Sequence, residues 1–222
     1  MSAGPCLQAQ ALRPEGIVQG HPLDLTLWPG DMVGLQVLPP ADDLAGWVRT
    51  LVGLQAPAAG RLALLGRPLA GLGERDLRGL RQRLGYVPAV DGAGLLPAWS
   101  GQDNLALSGP APAAGWAAEA QRLGFPLHWL AEPVALRSRA QRHALAWWRV
   151  VRARPQCLVL SVWPWCLPGV EDLRWDVLWA DAWATRPGVL VLCTDPPEGW
   201  PAPLRALLTR SGRFNRGQVE WM

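Results

Sequence analysis

The sequence contains no lysine; its 21 basic residues are all arginine, set against 18 acidic residues for a formal net charge of +3. With so small an excess and with the arginines scattered, there is no basic stripe to track a nucleic-acid backbone. Two short clusters, Arg78–Arg83 and Arg149–Arg154, recur at helical spacing and read as solvated faces. Cysteine is scarce: Cys6, Cys157, Cys166 and Cys193 show no CxxC spacing, and three of them lie in or beside apolar runs. That pattern favours buried thiols in a reducing compartment over disulfides or a metal site. His21, His128 and His143 stand alone, without metal-ligand spacing. No apolar run reaches the length of a membrane span, and the N-terminus has no signal-like hydrophobic stretch. The expectation is a soluble chain with no direct membrane insertion, able to dock on a membrane-bound partner. Internal repeats and long linkers are missing as well.

Half of the 222 residues are hydrophobic, with 24 glycines and 22 prolines spread along the chain, which is the composition of a globular protein. The length suffices for one large domain, or one domain with a subdomain. Residues 7–29 read as short β segments ending in "LDLTLWPGD". Met32–Val37 follows as a continuous apolar strand of the kind buried in a parallel sheet. A helical run over 46–54 precedes "GRLALLGRPL", a short strand pair with a glycine turn. Asp76–Arg83 reads as a basic helix and "LGYVP" as a strand. Residues 97–150 are helical in tendency, with breaks near 110–114. "CLVLS" (157–161) and "GVLVLC" (188–193) are two more buried strands, separated by a helical stretch over 171–185. Strands alternating with helices in this way predict an α/β fold with a mostly parallel core sheet.

The order of these pieces resembles that of an ABC-transporter ATP-binding subunit. "LDLTLWPGDMVGL" is similar to the family's lead-in: a strand, a turn with Gly30 and an acidic residue, then the strand that feeds the phosphate loop. "LVGLQAPAAGRLALLGRPLAGLGERDLRGLRQRLGYV" resembles the stretch after the Walker A loop, and "GAGLLPAWSGQDNLAL" the segment after the Q-loop, with its Asn104. "LRSRAQRHALAWWRVVRARPQCLVL" resembles the signature helix and Walker B strand, and "VLVLCTDPPE" the strand that ends in the switch histidine. The match is collinear from about residue 7 to 198. The wording of "GAGLL" and "DNLAL" leans toward ATPases of lipid-trafficking, MCE-associated importers. The resemblance implies a P-loop NTPase fold over 1–222, with an N-terminal antiparallel β part and a helical subdomain at about 97–147.

The nucleotide-handling positions do not follow the family. A phosphate loop aims backbone N–H groups at phosphate oxygens, with a lysine on the β- and γ-phosphates and a Ser or Thr on Mg²⁺. The matching stretch is "VLPPADDLAG", beginning at Val37. Pro39 and Pro40 each remove an N–H donor, and Asp42 and Asp43 place negative charge where phosphate would sit. The lysine position falls on Asp43 or Leu44, and the hydroxyl position on Leu44 or Ala45. Losing several charge-assisted hydrogen bonds at roughly 1.5–3 kcal/mol each would carry micromolar binding past millimolar. The Walker B pair, which orients Mg²⁺ and activates water, falls on Ser161 and Val162. The switch histidine falls on Thr194, and the Q-loop glutamine on Ala89, or on Asp91 if a short insertion lies earlier. No aromatic residue precedes Trp28 to stack on adenine. The signature "LSGGQ" reads "RSRAQ": Ser138 and Gln141 fit, while Arg139 and Ala140 replace the glycines. Arg139 could still reach a phosphate; a solvated arginine is the plainer reading.

Tryptophan is abundant, at 14 residues. Trp147 and Trp148 sit in the signature helix, and Trp175, Trp179 and Trp183 form one stripe of a helix, as core packing or as an interface anchor. Trp163 and Trp165 flank the missing catalytic acid, and at least one of them is expected to fill the vestigial nucleotide region. The reading as a whole is an inactive cassette-like subunit with no catalytic residue, no metal site and no cofactor of its own, ATP and Mg²⁺ entering by resemblance only. Its implied partners are a membrane permease and a homo- or heterodimeric ABC ATPase partner, with no nucleic acid. Its implied place is the cytoplasm, at the inner face of the cell membrane through that permease. The alternatives are a stand-alone interaction protein that keeps the fold, and a weakly active ATPase with a rebuilt site.

Overall fold

In the computed structural model, the described residues are 4–17, 20–38, 44–88, 94–161, 169–200 and 202–222. The strands in chain order are β1 (Leu7–Pro14), β2 (Leu23–Leu27), β3 (Met32–Val37), β4 (Pro57–Leu64), β5 (Arg67–Pro68), β6 (Leu84–Val87), β7 (Cys157–Leu160), β8 (Gly188–Cys193), β9 (Arg210–Asn215) and β10 (Gln218–Trp221). The helices are α1 (Leu44–Leu51), α2 (Glu74–Arg81), α3 (Gly101–Ala106), α4 (Gly115–Leu123), α5 (His128–Ala131), α6 (Arg139–Arg152), α7 (Trp175–Trp183) and α8 (Ala202–Arg205). The chain divides into two units: one is Met1–Tyr86 with Gln156–Ser161 and Arg186–Met222, the other Val87–Pro155 with Val162–Thr185.

The first unit is built on two sheets. A four-stranded sheet has the order β2-β1-β4-β5, and its pairs are antiparallel. The six-stranded sheet runs β10-β9-β3-β8-β7-β6, with β3 parallel to both β8 and β9 and β7 parallel to β8. Every residue of β7 and β8 is buried, as a strand covered on both faces requires. Alternate residues divide between those faces. Val33, Leu35, Val37, Cys157, Val159, Leu190 and Leu192 join a core that also holds Leu7, Leu12, Leu23 and Leu27 of the antiparallel layer and Trp47 and Leu51 of α1. On the other face, Trp200 lies so close to Gly34 that a Cβ there would sit 2.6 Å from its ring, so this strand position admits no side chain.

The sequence-based outline holds for β3, the β4–β5 pair, β6, β7 and β8. Helix α1 differs: it is already helical at Leu44, two residues before the expected start, and its last residue, Leu51, comes shortly before Gly53, which turns left-handed at φ +70°. The C-terminal hairpin β9–β10 is an addition to that outline. Only Gly212 and Phe214 of β9 are buried, too little apolar content for a strand signal.

The second unit is helical among the described residues and holds much of the aromatic content. Trp147 and Trp148 on α6 are buried. Trp147 stacks on Trp179 of α7 with centroids 5.8 Å apart, and Trp179 stacks in turn on Trp183 at 6.0 Å. Trp148 lies against Phe125 at 4.6 Å, and Trp175 donates its indole N–H to the Val170 carbonyl at 2.9 Å. The α7 stripe thus turns Trp179 inward against α6 and leaves Trp175 and Trp183 half-buried. Asn104 of α3 is fully buried and stitches the segment before it: its Oδ1 accepts from Leu96 N at 2.7 Å, and its Nδ2 donates to the carbonyls of Leu96 at 3.1 Å and Ser100 at 3.0 Å.

Truncating that amide leaves the Leu96 N–H without its acceptor and removes the side-chain bonds to the Leu96 and Ser100 carbonyls, which keep their backbone donors Trp99 N and Asn104 N. Asn104→Ala is expected to lower stability by about 2–3 kcal/mol, or roughly 4–12 °C in melting temperature for a chain of this size. A thermal melt that moves by less than about 1 °C would show that the Asn104 amide does not hold this segment in place.

Candidate functional site

In a parallel sheet, the carboxyl ends of the strands open onto the ligand crevice. Gln36 is in register with Cys193 and Leu160 with Val191, so the ends of β3, β8 and β7 lie side by side. The structure therefore gathers Val37, Thr194 and Ser161 at one edge of the sheet. Of the other candidate residues, Pro39, Pro40, Asp42, Asp43, Ala89, Asp91, Val162, Trp163 and Trp165 lie outside the described residues. The expectation that an indole fills this region falls on two of these.

Val37 ends β3 and is buried. Leu38 N donates to the Phe214 carbonyl at 2.9 Å, which ties the strand exit to β9. When the chain is next described it is helical: Leu44 and Ala45, both half-buried, form the first turn of α1 and bring neither a hydroxyl nor a charge. The helix is pinned by Trp47, whose ring meets Phe214 edge-on at 5.4 Å. The strand and the helix follow in the expected order; the residues between them, 39–43, lie outside the described residues.

At the end of β7, Ser161 is only 7% exposed. Its hydroxyl is hydrogen-bonded to Tyr86 on β6, and the phenol is held above its ordinary pKa by burial, against the opposing pull of the Arg49 guanidinium and the Ser161 bond. Position 161, where the family resemblance puts a metal-orienting carboxylate, is thus occupied by a small neutral group engaged with a phenol. At the end of β8, Thr194 is exposed, and its backbone carbonyl accepts from Gln36 Nε2 at 3.4 Å. The turn beyond it is closed through Asp195, whose carbonyl accepts from Cys193 Sγ at 3.2 Å and from the Trp200 indole at 3.3 Å. Among the described residues, the groups gathered at this edge are the Ser161 and Thr194 hydroxyls, the Tyr86 phenol, the Gln36 amide and backbone carbonyls.

The signature-like residues have a local role. Ser138 is the N-cap of α6: its hydroxyl accepts from Gln141 N at 3.2 Å, while Ser138 N donates to Gln141 Oε1 at 3.0 Å. This reciprocal capping box satisfies two N–H groups that helix geometry would leave orphaned. Arg139, in the first turn, is exposed, and Ala140 is buried. The S-x-x-Q spacing is itself a helix-start signal, which the likeness to a signature motif overshadows in the sequence. The Tyr86–Ser161 pair is invisible there, because nothing in the sequence links residues so far apart.

No family model matches this sequence, and no curated relative does. The backbone does match solved structures. It superposes on the dimeric bacterial ABC transporter cassette MJ0796 with a TM-score of 0.73 at 14% identity, over 96% of each chain. The match to cbiO1 of Clostridium perfringens, part of the ABC transporter complex cbiONQ, has a TM-score of 0.68 at 17% identity, over 98% of this chain and 87% of that one. An ATP-binding subunit of an ABC transporter gives 0.68 at 18%, over 96% and 88%. At such identities the likeness is one of fold: this is an ABC ATPase-like, P-loop NTPase α/β fold.

Tyr86 is the one tyrosine in the chain, so alkaline phenol titration reports on this site alone. Its folded pKa is raised above 10.0. The protonated phenol therefore contributes stability that is fully present below pH 10 and is lost as pH rises through the folded value. Tyrosinate difference absorbance is expected to titrate at higher pH in the native protein than in denaturant; coincident curves would contradict the partly buried phenol. Ser161→Asp should destabilise by roughly 1–3 kcal/mol in chemical denaturation, because a carboxylate enters a buried site without a metal.

Proposed function

We propose that this chain is a catalytically silent ATP-binding-cassette-like subunit that works as a structural or regulatory partner of a membrane permease, alone or beside an active ATPase subunit. The observation that carries the reading is the buried Ser161 at the carboxyl end of β7, hydrogen-bonded to the half-buried Tyr86. Mg²⁺ takes hard, charged oxygen ligands in strict geometry, and a hydroxyl already engaged with a phenol is a poor substitute. The start of α1 adds support, since Leu44 and Ala45 supply no metal-binding hydroxyl. The sequence leading into it, "VLPPADDLAG", brings two prolines and two aspartates and no lysine. These residues do not fit Mg-ATP, and no catalytic step is assigned to them.

The docking half of the reading rests on the helical unit. Leu96, Trp99, Leu107, Leu127 and Leu136 there are each 41–68% exposed. Large apolar side chains left open on this unit suit a surface used for association. No helix among the described residues is long and apolar enough to cross a membrane, so contact with a permease would be peripheral. The structural neighbours supply the kind of partner: cbiO1 is part of a transporter complex, and MJ0796 is seen as a dimer.

Calorimetry with Mg-ATP is expected to give no dissociation constant below about 100 μM, equivalent to roughly −5.5 kcal/mol. Tighter, magnesium-dependent binding would overturn the silent-subunit reading. Affinity capture from native membranes should bring down an integral membrane protein, and the paired change Leu107→Asp with Leu136→Asp should release it. Capture of soluble proteins alone would favour the stand-alone interaction role.

A further inference from the structure

Within the helical unit, segments of α4, α6 and α7 line a cavity of about 550 Å³. Trp148, Val151 and Ala184 give it an apolar wall, and five charged residues complete the lining: Glu119, Arg122, Arg152, Arg154 and Asp181. Four of the five cancel in pairs. Arg152 Nη1 donates to Glu119 Oε2 at 2.7 Å, and Arg122 Nη2 donates to Asp181 Oδ2 at 2.6 Å. Arg152 is locked further, by a bond from Nη2 to the Pro110 carbonyl at 2.5 Å and by its place 4.5 Å above the Trp116 ring. The hydroxyls on the rim are committed as donors too: Ser108 donates to the Leu105 carbonyl, and Thr185 to the Pro155 carbonyl.

Arg154 is the exception. Among the described residues its side chain makes no hydrogen bond or ion pair. It also stands two residues beyond the end of α6 with φ at +48°. That left-handed position, just past a helix, is one glycine occupies freely and an arginine only against strain. An exposed, unpaired guanidinium thus stands on a strained backbone at the rim of a cavity whose other charges are paired, and such strain gathers at functional positions.

We infer that this cavity is a binding site for a small organic monoanion, a carboxylate carrying an apolar chain or ring, with Arg154 as its counter-charge. The lining has one uncompensated positive charge, which matches one negative charge on the ligand. A phosphate dianion would bring a second charge up against Glu119 and Asp181. The apolar wall of Trp148, Val151 and Ala184 takes the body of the ligand, and the volume falls in the range of small-molecule sites, roughly 300–1,000 Å³.

Calorimetry on the full chain, with octanoate, 3-phenylpropionate and inorganic phosphate as probes, tests this. At least one of the two carboxylates is expected to bind with a dissociation constant below about 1 mM, and phosphate more weakly. Arg154→Gly should weaken the carboxylate about tenfold or more, with its melting temperature as the control for folding, since glycine relieves the strained backbone. Arg154→Lys should retain most of the affinity, and Ala184→Trp should abolish binding by filling the cavity. Failure of both carboxylates to bind the unsubstituted chain, a preference for phosphate, or unchanged affinity in Arg154→Gly would each overturn the inference.

Discussion

Burial of β7 and β8 on both faces is the constraint from which the first unit follows. Every position of the two strands, Cys157–Leu160 and Gly188–Cys193, is buried, so each face of the sheet needs a cover. One face is closed by α1 and the antiparallel layer in a single core, and Trp200 presses onto the other at Gly34. The energy of this arrangement scales with the apolar area removed from water, about 25 cal/mol per Å². It takes no account of which polar groups stand where the strands end. A fold held in this way keeps its frame while the residues at the strand ends change.

Ser161 and Tyr86 show how such a change is accommodated. A buried carboxylate needs a cation or a metal against it, and removing one partner of a buried pair strands the other. Loss of the loop lysine alone would leave an aspartate at the end of β7 without a counter-charge. With serine there, no carboxylate stands at the end of β7, and the hydroxyl is hydrogen-bonded to the phenol of the neighbouring strand. At the end of β7 the hydroxyl is thus satisfied without a carboxylate, and burial holds the phenol pKa up against the pull of the Arg49 guanidinium.

The frame is legible in the sequence because continuous apolar runs bounded by turn residues leave few alternatives to buried parallel strands. The C-terminal hairpin is hidden, since Arg210, Arg213 and Asn215 alternate with small or polar neighbours and only Phe214 carries a large apolar side chain inward. The Tyr86–Ser161 bond is hidden too, because that pairing exists only through the strand order β8-β7-β6. An expected start of α1 at Gly46 treats Leu44 and Ala45 as loop, although both are good helix formers. The family resemblance also draws Ser138 and Gln141 toward a phosphate-contacting role, when their spacing of three residues alone explains a capping box. Family motif and local physics make the same residues visible for different reasons, and geometry favours the local one.

The capping box and the strand ends also differ in what a substitution can do. Ser138 serves backbone groups that every helix start exposes, so its role persists whatever the rest of the chain binds. Val37, Ser161 and Thr194 serve nothing in the backbone ladder beyond closing strands, since Gln36 reaches the main chain of Thr194 and not its side chain. Residues of the first kind are held by folding alone, and those of the second kind only by the groups beside them. Ser138 with Gln141 and Ser161 with Thr194 divide in this way: the first pair is bound to the backbone of its own helix start, the second only to the groups beside it at the strand ends.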